Sequence, residues 1–348
     1  MDASLAGNKE DEVVELVKLG ITPEKQIGEG SYSHVKSAIW KSENNDESIR
    51  VALKVINRAT APVEFKKKFL PRELKILNGL KHPNIIQMYN AFNIKNKTYI
   101  CLEFAGHGDL LEFVQLRGPL EEGETRKLFT AICDGISYLH ERGVVHRDLK
   151  CENILLGNNN EIKIADFGFA REIGNSELSK TFCGSAAYAA PEVIKGIAYE
   201  GRNADLWSMG VILYIMACCV MPFRDRNRST LIHDQMLPPR YPPKVAEKLS
   251  EPYKDLVAGI LNHISDERYS LQQICAHSWM DPSFGNIKSS ALSIQEAKIK
   301  KEYSTDSGYD SATSGESSRF SANTSRKSIT KRNISSRVFT KKITRDKV

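Results

Sequence analysis

No run of this 348-residue chain is apolar for long enough to cross a membrane: the longest, Met209 to Met221, is 13 residues, whereas a spanning helix needs about 20. That run is expected to be a buried core helix. The first dozen residues, Met1 to Glu12, carry four acidic side chains and no apolar segment. No secretory signal is read there, and the expected location is the cytosol, with the nucleus as the alternative. Seven cysteines, an odd number with no C-x-x-C pair among them, exclude a disulfide framework or a zinc site of ordinary spacing, so they read as reduced thiols. The G-x-x-x-x-G-K-[ST] phosphate loop is absent, and no repeat of 20–50 residues is visible, which excludes solenoids and propellers.

What is present is globular composition, 41% hydrophobic and 26% charged, which excludes wholesale disorder and fibrous folds. The net charge of +6 is unevenly placed. Between Arg319 and Val348 stand ten Lys or Arg against Asp346 alone, so the remaining 318 residues carry −3. The basic character therefore belongs to a tail and says little about the fold. Beyond Phe284 serine and threonine replace the large aliphatics, and such a stretch cannot bury enough apolar surface to offset its ordering entropy.

Three parts follow: an N-terminal extension over 1–21, a folded body over 22–284, and a disordered, Ser/Thr-rich basic tail over 285–348. The body divides again. Residues 22–102 hold short β-branched runs, Arg50 to Ile56 and Thr98 to Leu102, around one helical stretch from Glu64 to Leu80. Residues 107–284 read as mostly helical, with helices over Gly123–Glu141 and Ala204–Cys219 and short strands at Ile154–Leu156 and Ile162–Ile164. The expected fold is α+β, a β-rich small lobe and a helical large lobe enclosing a cleft.

Gly28-Glu29-Gly30-Ser31 is a glycine-rich turn that leads through Ser33 and Val35 into a second strand, so it is not a dinucleotide-binding fingerprint, which would open a helix. Glycines let backbone approach a phosphate closely; a plain hairpin turn is the competing reading. Lys54, flanked by apolar β residues in Val51-Ala52-Leu-Lys54, needs a counter-charge where it is half-buried, and Glu73 on the neighbouring helical stretch can supply one. Further along come His146-Arg147-Asp148-Leu-Lys150-Cys-Glu152-Asn153 and, after it, Asp166-Phe167-Gly168.

This ordered set resembles the eukaryotic protein kinases, whose catalytic loop is H-R-D-x-K-x-x-N and whose metal-binding turn is D-F-G. Ala190-Pro-Glu192, Asp205-Leu-Trp207-Ser-Met-Gly210 and Arg268 match further landmarks, so the resemblance spans about 27–280. It implies a bilobal kinase fold and transfer of the ATP γ-phosphate to protein hydroxyls. By resemblance, Asp148 is the base, Lys150 and Lys54 are cations on the phosphates, and Asn153 and Asp166 hold Mg²⁺, which prefers such hard oxygen donors. The nucleotide site is then Ile27, Gly28, Glu29, Gly30, Ser31, Val35, Ala52, Lys54, Glu73, Leu102, Glu103, Ala105, Asp109 and Leu155, with Leu102 as gatekeeper. His146, Phe167, Leu77 and Met88 match an apolar stack joining the lobes, and Glu192 with Arg268 a buried ion pair. Lys150 points to serine/threonine specificity. Ser33 replaces the third glycine of the loop. Pro71, two residues before Glu73, requires either a bend or a helix restart.

Cys151 in the catalytic loop, Phe69-Leu-Pro-Arg-Glu73 and Ser179 to Glu192 are similar to the testis-specific serine/threonine kinases, within the calcium/calmodulin- and AMP-activated-kinase-like group. That resemblance implies a role in spermatogenesis. It also implies phosphosites at Thr181, with Arg147 as its cation and an upstream kinase as partner, and at Ser185, whose alternative role is positioning substrate. Glu152 and Asp109 match acidic positions that select arginine ahead of the target. In the tail, Asp306-Ser-Gly-Tyr-Asp-Ser311 resembles a phosphodegron read by a ubiquitin ligase, against a chance match. The alternatives are a pseudokinase-like scaffold, disfavoured because Lys54, Asp148, Asn153 and Asp166 are all kept, and a nucleic-acid-associated protein. The tail lacks the interleaved aromatics of a nucleic-acid platform, so no specific nucleic acid is expected.

Overall fold

The structure is a computed structural model that describes residues 3–30, 32–41, 47–173, 178–179, 184–224 and 227–283, with side chains from residue 11 onward. Ser31, Thr181, Cys183 and the tail lie outside the described residues. The small lobe comprises α1 (Ala3–Lys18), β1 (Ile21–Glu29), β2 (Ser33–Lys41), β3 (Ser48–Asn57), α2 (Leu70–Gly79), β4 (Met88–Ile94) and β5 (Lys97–Glu103). Its five strands form one antiparallel sheet in the order β1-β2-β3-β5-β4.

The run Val51 to Ile56 is apolar at nearly every position because both faces of β3 are covered. Lys54 stands opposite Val35 and Ile100, on the face where Ile56 and Ile100 pack with Leu70 beneath α2. Val51, Leu53 and Val55 alternate to the other face and are buried with Tyr99, Cys101, Ile21 and Leu16.

Leu16 comes from α1, so the N-terminal segment is not a loose extension. It caps the outer face of the sheet. Glu12, one turn before Leu16, accepts from Lys97 Nζ at 2.8 and 2.5 Å and from the Tyr99 hydroxyl. Burial alone would raise the Glu12 carboxyl, but these hydrogen bonds and the Lys97 charge outweigh it and hold the group below its ordinary 4.5.

The segment expected as one helix from Glu64 to Leu80 is helical through Gly79 but changes its winding. A wide turn of i→i+5 hydrogen bonds spans Phe65–Phe69, the Leu70 amide donating to the Phe65 carbonyl, and α2 follows with Pro71 in its first turn while Phe69 and Leu70 keep right-handed helical backbone. Glu73 falls two residues after the proline on the buried side.

The large lobe continues with α3 (Leu110–Arg117), α4 (Glu122–Glu141), β6 (Val144–Val145), β7 (Ile154–Leu156), β8 (Ile162–Ile164), β9 (Arg171–Glu172), β10 (Leu178–Ser179), α5 (Pro191–Lys195), β11 (Tyr199–Glu200), α6 (Gly201–Cys218), α7 (Arg228–Gln235), α8 (Pro243–Ala246), α9 (Glu251–Ile260) and α10 (Leu271–Ala276). The two-stranded pairs β6-β9 and β7-β8 carry the cleft loops. Helix α6 takes up most of the long apolar run and is buried almost all round, as a helix without a polar face must be. Arg268, its side chain fully buried, meets Glu192 at 2.8 and 3.1 Å. No helix among the described residues is long and apolar enough to span a membrane.

Truncating Leu16 to Ala should cost about 2–5 kcal/mol, measured as a fall in the urea midpoint at unchanged slope. The Glu12 contribution is fully present above the unfolded carboxyl value and lost as pH falls through the lower folded one. Glu12→Gln should therefore lower stability at pH 7 and leave it nearly unchanged near pH 3.

Candidate active site

Asp148 is 6% exposed and donors fix both of its carboxylate oxygens. Oδ2 accepts from Lys150 Nζ at 3.0 Å and Asn153 Nδ2 at 3.2 Å, and Oδ1 from the Ser185 amide at 3.1 Å. A carboxylate surrounded this way is aimed and placed to accept a proton. Lys150 also reaches Ser185 Oγ at 3.3 Å, which draws the acceptor side of the cleft together. Beside Asp148 is a small depression lined by Arg147, Ser185, Tyr188 and Val193.

The catalytic loop owes its shape to strain held from below. Arg147 has φ +66° and Asp166 φ +62°, a left-handed backbone that side chains other than glycine adopt at some cost. Asp205, 1% exposed in α6, accepts from the Arg147 amide at 2.8 Å through Oδ1. Its Oδ2 takes the His146 amide at 2.9 Å and lies 3.0 Å from His140 Nε2. Burial would raise the Asp205 carboxyl, yet the His140 contact and these amides keep it below the ordinary carboxylate value. Asp205 was noted in the sequence only as a landmark; nothing local marks it as the acceptor for a loop 58 residues earlier.

The small lobe contributes Lys54, whose ammonium meets Glu73 at 2.7 Å and Asp166 at 3.4 Å. Burial would lower the Lys54 value, but the charges of Glu73 and Asp166 raise it, so the lysine stays protonated. Asp166 is drawn below its usual range chiefly by the Lys54 charge, against burial. Breaking a buried pair such as Lys54–Glu73 leaves an uncompensated charge at about 3–5 kcal/mol. His146 and Phe167 rings meet edge to face at 5.1 Å, and Leu77 and the partly buried Met88 belong to the same large core.

Along the cleft, Gly28, Glu29 and Val35 lie on the paired β1 and β2, and the Gly30 amide donates to the Ser33 carbonyl at 2.7 Å. Ile27 is exposed at the end of β1. Ala52 faces Leu102 across the β3–β5 pair, and Asp109 bridges to Leu155. Glu103 and Ala105 follow at the end of β5, where the Glu103 side chain is taken by Lys163 at 2.5 Å. Asp109 caps α3, accepting from Glu112 N at 2.9 Å, and Glu152 accepts from the Tyr188 hydroxyl at 3.1 Å. The Tyr188 and Lys163 contacts were missed in sequence because their partners are distant in the chain.

For a divalent cation the donors fit. Asn153 spends its amide nitrogen on the Asp148 carbonyl at 2.8 Å and on the Asp148 carboxylate, which leaves its amide oxygen as a hard donor. Asp166 is half-exposed to the cleft. Among the described residues no group of three or more His, Cys, Asp or Glu converges as a closed metal cage.

A family profile described as "Protein kinase domain" matches residues 21–280. Mouse testis-specific serine/threonine-protein kinase 1 is 42% identical over 288 residues, 81% of this chain and 78% of that protein. Mouse testis-specific serine/threonine-protein kinase 3 is 42% identical over 259 residues, 74% of this chain and 94% of its own. Chicken serine/threonine-protein kinase SIK2 is 37% identical over 275 residues, 78% of this chain and 33% of its own.

Gly184 has φ +88°, and a Cβ there would sit 2.8 Å from both the Arg147 carbonyl oxygen and Asp148 Oδ1. Gly184→Ala should therefore displace Asp148 and lower kcat by about a hundredfold while leaving KM for ATP unchanged, since small misplacements at the reacting centre act at that scale. Steady-state kinetics at varied ATP checks this.

Proposed function

The chain belongs to the protein kinase family and is a serine/threonine kinase, and from that premise we propose that it phosphorylates protein targets carrying arginine ahead of the acceptor, in male germ cells. Membership implies ATP and a divalent cation; magnesium is the ion we assign. The observation that carries the chemistry is the convergence of Lys150, Asn153 and the Ser185 amide on Asp148.

In this reading the acceptor hydroxyl docks against the Asp148 carboxylate, which orients it and takes its proton as the bond to phosphorus forms. Lys150 lies beside that carboxylate, where its charge offsets the negative charge developing on the transferred group. Lys54, kept protonated by Glu73, holds the nucleotide phosphates. Asn153 and Asp166 would hold the cation, which neutralises phosphate charge when bound. The serine/threonine hydroxyl enters from the Ser185 side of the cleft.

Arginine preference rests on Asp109 and Glu152, two carboxylates near the cleft that cap α3 and meet Tyr188 respectively. Activation would follow phosphorylation of Thr181, with half-buried Arg147 as the cation; its Nε is held on the Phe169 carbonyl at 2.9 Å. The male germ-cell role is drawn from the names of the relatives, and the cytosol, with the nucleus second, from the sequence.

With Mg²⁺ and a peptide library, the wild type should transfer γ-phosphate to Arg-x-x-Ser/Thr peptides. Asp148→Asn and Asp166→Asn should fall at least about a thousandfold, and Glu152→Gln should erode the arginine preference. Proline-directed or acidophilic selection would overturn the substrate class. ATP binding without transfer, with phosphate present on Thr181, would favour the scaffold reading.

A further inference from the structure

We infer that Phe65 and Phe69, at the two ends of the wide turn before α2, are positioning residues for phosphoryl transfer, a role that rests on the phosphoryl-transfer reading above and deepens it. Phe65 steadies the glycine-rich side of the nucleotide site through Tyr32. Phe69 steadies the Asp166 turn through Phe169.

Phe65 meets Tyr32 with ring centroids 5.9 Å apart and planes tilted by 45°. Phe69 meets Phe169 edge to face, at 6.5 Å and 71°. Both pairs lie within the range of about 4.5–7 Å over which aromatic rings attract beyond the area they bury. A single turn of helix thus reaches back to residue 32 and forward to residue 169. Turns of this i→i+5 kind are rare inside helices and concentrate at functional sites.

Tyr32 stands at the entry to β2, two residues after Gly30, and is 40% exposed. Its carbonyl accepts from the amide of Asn57, the last residue of β3, at 3.0 Å. The backbone at Tyr32 is therefore tied to the strand that carries Lys54, while its side chain leans on Phe65. Phe65 is half-buried and packs against the cluster of Ile56, Leu70 and Ile100, so the inner layer of the sheet fixes the ring on which Tyr32 rests.

Phe169 follows Asp166 by three residues and is 37% exposed, too open for core packing alone to fix its ring. Its carbonyl takes Arg147 Nε at 2.9 Å. Phe69 precedes Glu73 by four residues, and Lys54 joins Glu73 at 2.7 Å to Asp166 at 3.4 Å. Helix α2 and the Asp166 turn are thus connected twice, once through the charges around Lys54 and once through the Phe69–Phe169 pair. Asp166 keeps a left-handed φ of +62°, a conformation that persists only where its surroundings hold it. The second connection limits how far that turn can relax.

Full-length variants in which leucine replaces a ring keep apolar bulk and lose the aromatic contact. Phe65→Leu should raise KM for ATP about three- to tenfold at nearly unchanged kcat, the scale of one aromatic pair. Phe69→Leu should lower kcat by about the same factor at nearly unchanged KM. Phe65→Tyr and Phe69→Tyr, which keep a ring, should restore wild-type values. When Phe65→Leu is combined with Tyr32→Leu, or Phe69→Leu with Phe169→Leu, the losses should not multiply, because the second substitution removes a partner already lost. A fluorescent ATP analogue reads the Phe65→Leu effect as a rise in Kd without turnover, so a wild type that binds it and transfers no phosphate would count against the phosphoryl-transfer reading alone. Leucine variants with wild-type kcat and KM, tyrosine variants as impaired as the leucine ones, or losses that multiply in the double variants would each overturn the assignment.

Discussion

A single buried carboxylate holds the cleft in working shape. Asp205 projects from the most completely buried helix of the large lobe and accepts the amides of His146 and Arg147. Those two bonds keep Arg147 in a left-handed conformation that its side chain disfavours. The next residue is Asp148, so the direction in which that carboxylate points follows from the strain one position earlier. Everything converging on Asp148, namely Lys150, Asn153 and the Ser185 amide, requires that direction.

The small lobe meets the same demand by a different route. One sheet separates two apolar layers, and Lys54 emerges from the inner one to meet Glu73 and Asp166. A strand apolar on both faces must be covered on both. Helix α2 covers the inner side, and α1, anchored by Leu16 and Glu12, covers the outer. The position of Lys54 relative to the cleft therefore depends in part on a segment outside the matched kinase region of 21–280.

The lobe pattern, the strands at Ile154–Leu156 and Ile162–Ile164 and the long core helix were legible because hydrophobic periodicity is local. The catalytic loop and the Asp166 turn were legible because their chemistry is carried by contiguous residues. Pro71 posed a choice that sequence left open: the helix stays continuous and widens by one turn at Phe65–Phe69 just before the proline. The docking of α1 was missed, although the run Val51 to Ile56, apolar but for Lys54, called for a second covering element. Contacts such as Asp205 with Arg147 and Glu152 with Tyr188 join residues tens of positions apart, and no local pattern encodes them.

The most direct measurement of the Asp205 clamp compares wild type with Asp205→Asn by single-turnover phosphoryl transfer and by hydrogen exchange at the His146 and Arg147 amides. An asparagine keeps the shape but offers one acceptor oxygen in place of two, so one amide loses its partner at about 1–3 kcal/mol. The expected result is faster exchange at those amides, a chemical step slower by about ten- to hundredfold, and ATP affinity left intact because Lys54 and Glu73 are untouched. Unchanged exchange with an unchanged chemical step would contradict the claim that this carboxylate sets the geometry of the site.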